Sequence, residues 1–206
     1  MFTGIIKAMA KIAWVSHTSA LTRYKIALPP EILVDLETGA SISVNGVCQT
    51  VVSIENQTIL FEAIEDTLKR TSLAQLSVGQ KVNIERSMKM GDEIGGHLLS
   101  GHVMGTARIT NMRSPTPEQR VFEITCDKRW MRFILHKGYI ALNGVSLTVG
   151  DVFPERGAFT VNLIPETLKL TTFGEAVEGD LINIEIDSQT QAIVETVERV
   201  LGSISP

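Results

Sequence analysis

Cysteine is scarce in this chain of 206 residues: Cys48 and Cys126 are the only two. Two distant cysteines do not make a disulfide framework, and they suit a reducing compartment. No CxxC pair and no Cys/His cluster has metal-ligand spacing, so no metal is expected. No uninterrupted apolar run approaches bilayer length. The apolar start, MFTGIIKAMAKIAW, is broken early by Lys7 and Lys11, whereas a signal peptide places its charge ahead of a longer apolar stretch. Basic charge is not in excess either. The formal net charge is -4, which argues against a nucleic-acid binder. These absences lead us to expect a mature cytoplasmic protein with neither membrane nor nucleic acid as partner.

What the chain does contain is an internal repeat. Asn45-Gly-Val-Cys-Gln-Thr-Val51 matches Asn143-Gly-Val-Ser-Leu-Thr-Val149 at an offset of 98. Thr67-Leu-Lys-Arg-Thr-Ser-Leu73 matches Thr167-Leu-Lys-Leu-Thr-Thr-Phe173, and Gly79-Gln-Lys-Val-Asn-Ile-Glu85 matches Gly179-Asp-Leu-Ile-Asn-Ile-Glu185, both at 100. The identities are five, four and four of seven, or 13 of 21. Unrelated segments would share about one or two. Phe2-Thr-Gly-Ile-Ile6 lines up more weakly with Leu99-Ser-Gly-His-Val103. Self-similarity of this kind decides the architecture. It divides the chain into units at 1–97 and 98–187, with the boundary in glycine-rich Gly91–His97 and a tail over 188–206.

Each unit reads as strands. Ala40–Val44, Lys81–Glu85 and Leu181–Glu185 alternate with the period of half-buried strands. Thr50–Ile54 and Thr58–Phe61 are rich in β-branched and aromatic residues. Asn45-Gly46 and Asn143-Gly144 are hairpin signals between such runs. A unit of this size with about six short strands closes most economically as a small barrel. Short helices are expected at Glu65–Arg70 and Pro165–Leu170, and a longer one at Thr190–Leu201. In the last, Ile193, Val194, Val197, Val200 and Leu201 form one apolar stripe, which either covers its own barrel or packs on other subunits.

Taken singly, the residues able to carry chemistry say little. Cys48 follows the first hairpin and Ser146 holds the equivalent place in the second. A free cysteine is commonly a small buried hydrophobe. A thiol in one copy and a hydroxyl in the other, however, are both groups that attack carbon or donate hydrogen bonds. Thr50 and Thr148 follow on the same strand faces. His97 and His102 flank the unit boundary; each is either an idle loop residue or an acid/base group titrating near neutrality. Glu85 and Glu185 repeat, but each ends a strand and could simply face solvent. Gly95, Gly96, Gly101 and Gly105 form no dinucleotide fingerprint, since no βαβ pattern surrounds them.

Together these segments resemble a known family. Met-Phe-Thr-Gly-Ile-Ile at the start, Asn45-Gly-Val-Cys48 with Thr50-Val, Gly95-Gly-His97, Ser100-Gly-His102, Asn143-Gly-Val-Ser-Leu-Thr-Val and Ile164-Pro-Glu-Thr-Leu168 look like the riboflavin synthase family, α-chain type, over essentially the whole chain. The resemblance implies an all-β fold of two tandem six-stranded Greek-key barrels plus a C-terminal helix. Each barrel would bind one 6,7-dimethyl-8-ribityllumazine. It implies a homotrimer held by the C-terminal helices, with an active site where the N-terminal barrel of one subunit meets the C-terminal barrel of its neighbour. There a four-carbon unit passes between two lumazines, giving riboflavin and 5-amino-6-(ribitylamino)uracil without metal or organic cofactor.

Carried over by motif position, the pocket of the first unit comprises Gly4, Ile5, Ile6, Cys48, Gln49, Thr50, Glu62, Ala63, Ile64, Glu65, Asp66 and Thr67. That of the second comprises Gly101, His102, Val103, Ser146, Leu147, Thr148, Asn162, Leu163, Ile164, Pro165, Glu166 and Thr167. Phe2 and His97 are further expected substrate contacts, and Lys137 matches a position that meets ligand from the adjoining barrel. Cys48, His102, Ser146, Thr148 and Asp187 are the expected catalytic residues: a proton carrier in His102, a nucleophile or adduct stabiliser in Cys48, Ser146 or an activated water, and a carboxylate in Asp187. Two positions depart from the family pattern, Gln49 in place of leucine and Asn143 in place of the aspartate of many members. The alternative in the same fold is a non-catalytic lumazine or flavin carrier.

Overall fold

The two Asn-Gly pairs set the first geometry. Asn45 and Gly46 have φ of 47° and 81°, and Asn143 and Gly144 have 45° and 78°. Two consecutive positive φ values make the tight turn whose twist matches that of paired strands. In the computed structural model, which describes residues 1–18 and 21–204, these turns join β3 (Ser41–Val44) to β4 (Val47–Thr50) and β10 (Tyr139–Leu142) to β11 (Val145–Phe153).

The remaining strands are β1 (Ala8–His17), β2 (Leu21–Ala27), β5 (Ser53–Glu55), β6 (Thr58–Ile64), β7 (Lys81–Arg86), β8 (Gly105–Thr116), β9 (Gln119–Thr125), β12 (Ala158–Leu163) and β13 (Leu181–Ile186). All strand pairs are antiparallel. In the second unit the order β10-β11-β12-β9-β8-β13 closes into a six-stranded barrel. The first unit has the order β4-β3-β7-β1-β2-β6-β5, so its sheet ends on β4 and β5. Those two are successive pieces of one stretch that in the second unit is the single strand β11. The expected strand Thr50–Ile54 is therefore interrupted. At the break the Val51 N–H turns to the Ala40 carbonyl and the Val52 N–H to the Leu60 carbonyl, each at 2.9 Å. The chain changes partner there, from the β3 side to β6, and the two sheet edges are joined covalently.

The alternating strands bury one core per barrel. Tyr24 and Phe61 stack in the first, with ring centroids 5.4 Å apart, and Phe122 meets Phe173 edge-on in the second at 5.8 Å. Each fully buried large side chain contributes roughly 1.5–3 kcal/mol from desolvation. Between the barrels the two turns abut: a Cβ on Gly46 would lie 2.6 Å from the Gly144 nitrogen. Asparagines complete the join crosswise. Asn83 Nδ2 donates to the Asn143 carbonyl (3.0 Å), and Asn183 Nδ2 donates to the Asn45 carbonyl (2.8 Å). Their Oδ1 atoms accept the backbone N–H of Thr172 and Ser72 respectively, at 2.8 and 2.7 Å. Asn143 Oδ1 itself only accepts, from the Asn183 N–H at 2.8 Å, a role a carboxylate would fill equally. The aspartate expected here from the resemblance would thus keep the same contact.

The helices α1 (Pro30–Leu33), α2 (Glu65–Arg70), α3 (Pro165–Leu170) and α4 (Ser188–Ile204) cover barrel ends or form the tail. Asp187 caps α4, its Oδ2 accepting from the Thr190 N–H (3.0 Å) and hydroxyl (2.6 Å). Of the expected apolar stripe, Val194 packs on the second core, while Ile193, Val197, Val200 and Leu201 are exposed. Arg132 pairs with Glu198 at 2.6 Å and fixes the helix to the second unit. The last two residues of the expected tail lie outside the described residues. No helix among the described residues is long and apolar enough to cross a membrane.

Candidate active site

The segments before β1 and β8 do not stay with their own barrels. Phe2 and Leu99 form an isolated antiparallel bridge, and from that point the two segments cross. The Gly4 carbonyl accepts the Ser146 N–H at 2.9 Å, and the Gly101 carbonyl accepts the Cys48 N–H at 3.0 Å. Ile6 is buried in the core of the second barrel, and Val103 packs against that of the first. The segments therefore lie crosswise to the grouping expected from repeat order: Gly4–Ile6 lies with Ser146, and Gly101–Val103 lies with Cys48. Both crossings need glycine. Gly4 (φ 75°) would place a Cβ 2.5 Å from the Ser146 Cβ, and Gly101 (φ 81°) one 2.6 Å from the Cys48 Cβ.

A cavity of about 180 Å³ follows on the second barrel, lined by Gly4, Ile5, Ile6, Val145, Ser146, Ile164, Glu166, Thr167, Leu170 and Thr171. Seven of these are positions named from the sequence. The others, Val145, Leu170 and Thr171, were not. Leu147 and Leu163 point into the barrel core, as do Gln49 and Ala63 in the first unit. Cys48 is half-buried and Thr50 and Thr148 are exposed. Ile64, Glu65 and Asp66 are exposed at the start of α2, matching Ile164, Pro165 and Glu166 at the start of α3. Glu62 pairs with Arg23 at 2.8 Å, and Asn162 accepts from Gln119 at 3.2 Å. Thr67 and Thr167 each use their carbonyl to accept a hydroxyl, from Thr71 and Thr171.

His97 lies against this pocket in a way its sequence position did not disclose. Its Nδ1 is 2.6 Å from Ser146 Oγ, and its ring stacks on Tyr139 with centroids 5.0 Å apart. Burial pushes the imidazole below its ordinary pKa, with the Asp187 carboxylate pulling it partly back. Burial acts to raise Asp187 itself, but hydrogen bonds from Thr190 and Gln189 and the charge of His97 outweigh it and hold that carboxyl low. A neutral imidazole beside a hydroxyl can take its proton, which is the arrangement that activates a serine oxygen. Among the described residues the buried Nε2 has no hydrogen-bond partner.

His102, by contrast, is exposed, and its backbone N–H is tied to Ser100 Oγ at 3.0 Å. Lys137 is exposed in the left-handed region (φ 64°), its N–H bonded to the Val149 carbonyl at 2.9 Å. Phe2 is buried with Leu99 and Ala141, against which Cys48 packs. No cluster of three or more His, Cys, Asp or Glu among the described residues is arranged to hold a metal. The carboxylates that sequence left as possible solvent-facing ends are buried: Glu85 accepts from the Thr3 N–H, Thr3 hydroxyl and Gly4 N–H, and Glu185 from the Ser100 N–H, Ser100 hydroxyl and Gly101 N–H. The hydroxyl-then-glycine pair at Thr3-Gly4 and Ser100-Gly101 was the available signal.

The Lumazine binding domain family model matches residues 3–87 and again 100–187. The riboflavin synthase of Escherichia coli (strain K12) is 45% identical over 203 residues, covering 98% of this chain and 94% of that protein. That of Chlamydia pneumoniae is 40% identical over 203 residues, covering 98% of each. Among solved structures, LumP complexed with riboflavin superposes with a TM-score of 0.83 at 28% identity, covering 91% of this chain and 100% of that one. LumP complexed with 6,7-dimethyl-8-(1'-D-ribityl) lumazine gives 0.82 at 26%, with the same coverage. By its two matched domains and its full-length relatives, the chain belongs to the riboflavin synthase family.

Proposed function

We propose that the chain converts two molecules of 6,7-dimethyl-8-ribityllumazine into riboflavin and 5-amino-6-(ribitylamino)uracil by transfer of a four-carbon unit. The observation that carries this reading is the pair of related sites, one at Cys48 and one at Ser146, each completed by a segment crossing from the other half of the chain. A dismutation of two identical molecules calls for two like pockets. Much of its rate gain comes from holding the two reactants in register.

The chemistry needs one lumazine to lose a proton from its C7 methyl and the other to accept a nucleophile at C7. The Ser146–His97 contact suits the second task, because the neutral ring can take the hydroxyl proton. Cys48 or an activated water is the alternative nucleophile. His102, exposed beside Gly101, is the proton carrier in this reading. Thr148 and Thr50 line the outer strand faces, Lys137 meets ligand from an adjoining barrel, and Asp187 sets the charge near His97. No cofactor takes part.

The working unit in this reading is a homotrimer in the cytoplasm. Residues 1–97 and 98–187 form the lumazine-binding units, and the tail from 188 joins subunits. Two features support it. The exposed Ile193, Val197 and Val200 leave an apolar helix face without cover from their own barrel. The cavity at Ser146, about 180 Å³, is also smaller than the roughly 300 Å³ or more usual for ligand sites. A neighbouring subunit would supply the missing wall.

The carrier alternative is favoured by the likeness to LumP, whose structures hold riboflavin and lumazine. Incubating the purified protein with 6,7-dimethyl-8-ribityllumazine alone separates the two. Riboflavin fluorescence growing with time supports the synthase, and binding without riboflavin supports the carrier.

A further inference from the structure

Glu85 and Glu185 are the buried charges that the chemistry above does not use. Glu85 stands on β7 of the first barrel, yet its carboxylate holds Thr3 and Gly4 at 2.6–3.0 Å, and Gly4 is the residue whose carbonyl meets Ser146 of the second barrel. Glu185 stands on β13 of the second barrel and holds Ser100 and Gly101 at 2.7–3.1 Å, with the Gly101 carbonyl meeting Cys48 of the first. An ionised carboxylate only accepts, and each faces three donors, two of them backbone N–H groups, the second that of the positive-φ glycine itself. Such charge-assisted contacts are short and strong when buried. The connection is therefore crossed: a carboxylate of one barrel fixes a segment that meets the other barrel, lining the cavity at Ser146 in one case and bonding Cys48 in the other.

We propose that Glu85 and Glu185 are positioning residues acting crosswise, Glu85 setting the Ser146 pocket and Glu185 setting the Cys48 pocket, so that each barrel controls the substrate site of its partner. The assignment of those pockets to substrate rests on the function proposed above; the crossed control itself does not. Neither carboxylate touches a reacting atom. Each acts through a backbone of two residues, and replacing it by glutamine keeps the volume while turning an acceptor oxygen into a donor that opposes the Gly4 or Gly101 N–H.

Cysteine alkylation reads the two pockets separately without turnover. Cys126 is a quiet background: burial, with the neighbouring Asp127 charge adding to it, pushes its thiol up to about 12, and it can be replaced by serine. In C126S protein, Cys48 reports the first pocket to iodoacetamide. In a C48S/C126S protein carrying Ser146→Cys, the new thiol reports the second. Glu185→Gln should raise Cys48 alkylation by on the order of tenfold, the factor expected for loss of one charge-assisted hydrogen bond, and leave the second reporter within about twofold. Glu85→Gln should do the opposite. The milder Ser100→Ala and Thr3→Val, which each remove one hydroxyl contact, should repeat the pattern with smaller changes and serve if a glutamine variant does not fold. Equal acceleration of both reporters by either variant, or faster Cys48 alkylation caused by Glu85→Gln alone, overturns the crossed assignment. These outcomes are independent of whether riboflavin is formed, so failure here and failure of the proposed function are told apart.

Discussion

The Tyr24 hydroxyl donates to Gln49 Oε1 at 2.9 Å inside the first barrel, and the equivalent pair in the second barrel, Phe122 and Leu147, is apolar. Gln49 also donates from Nε2 to the Cys48 carbonyl at 3.0 Å, so its amide serves both the core and the strand of the first pocket. The departure of Gln49 from the leucine pattern is thereby explained. It is the partner that a tyrosine at position 24 requires, because a buried hydroxyl without an acceptor is costly. Burial holds the Tyr24 hydroxyl well above its usual pKa, so it stays a donor throughout the working range.

The pair yields a double-mutant prediction. Gln49→Leu alone leaves the Tyr24 hydroxyl unpaired and should destabilise the protein by about 1–3 kcal/mol in urea unfolding. Tyr24→Phe with Gln49→Leu, which copies the second barrel, should recover most of that loss. A double variant no more stable than Gln49→Leu would mean that the hydrogen bond is not what the site depends on.

The junction between barrels is tested at Gly144. Its φ of 78° is left-handed, and a Cβ there would sit 2.7 Å from the Gly46 nitrogen, which belongs to the opposing turn and cannot move aside alone. Gly144→Ala should cost about 2 kcal/mol or more through strain and separation of the turns. Gly79→Ala is the control: its φ of 86° is similar but nothing lies within 4 Å, so it should carry the backbone strain without the clash. Thermal unfolding of the two variants side by side separates the contributions, and equal losses would remove the turn-to-turn contact from the account.

Activity should fall on the acid side as His97 takes up a proton. Burial holds its pKa below the ordinary 6.5, so the ring remains neutral, and able to accept the Ser146 proton, to lower pH than a free histidine would. The acid limb of kcat/KM for riboflavin formation should therefore lie below 6.5. Stability follows the same sign. Below 6.5 the unfolded chain binds a proton that folded His97 refuses, so stability is lost as pH falls from there toward the folded pKa. Glu85 and Glu185, raised by burial, act in the opposite sense, losing stability as pH rises from 4.5. His97→Gln should remove the first dependence and keep the second; an unchanged acid limb in that variant would exclude His97 as the group responsible.

The parts of the fold that were legible in sequence are those decided locally. The alternation in Lys81–Glu85 and the Asn-Gly pairs each determine a strand or a turn within a few residues, and the structure has them there. The crossing of Gly4 and Gly101 was not legible. The repeat shows that the two segments are equivalent, but equivalent segments satisfy the same pattern on either barrel, and only the three-dimensional path of the chain decides which one receives them. Glu85 was misread for a related reason. Alternation correctly turns it away from the core of Val82 and Ile84, but away from one core is here against another segment rather than toward water. The contact of His97 with Ser146 spans 49 positions and has no counterpart in the first unit by which the repeat could have revealed it.

The tail helix offers the most direct test of assembly. Arg132 and Val194 hold α4 on the second barrel, so its orientation is fixed by its own subunit. The face it presents, with Val197 51% and Leu201 59% exposed, is apolar over two turns. If that face stayed in water, Val197→Asp would change stability by no more than about 0.5 kcal/mol and leave the mass in solution unchanged. If it is the seam between subunits, a buried unpaired carboxylate at each copy costs several kcal/mol, enough to shift the equilibrium to monomers at micromolar concentration. Sedimentation velocity should then show the proposed wild-type trimer replaced by a monomer, and riboflavin formation should fall more than about tenfold, because a lone subunit would keep both pockets but lose the neighbour proposed to face them. Deleting residues 190–206 should act in the same direction. A Val197→Asp protein that remains trimeric and fully active would place the subunit contact elsewhere on the molecule.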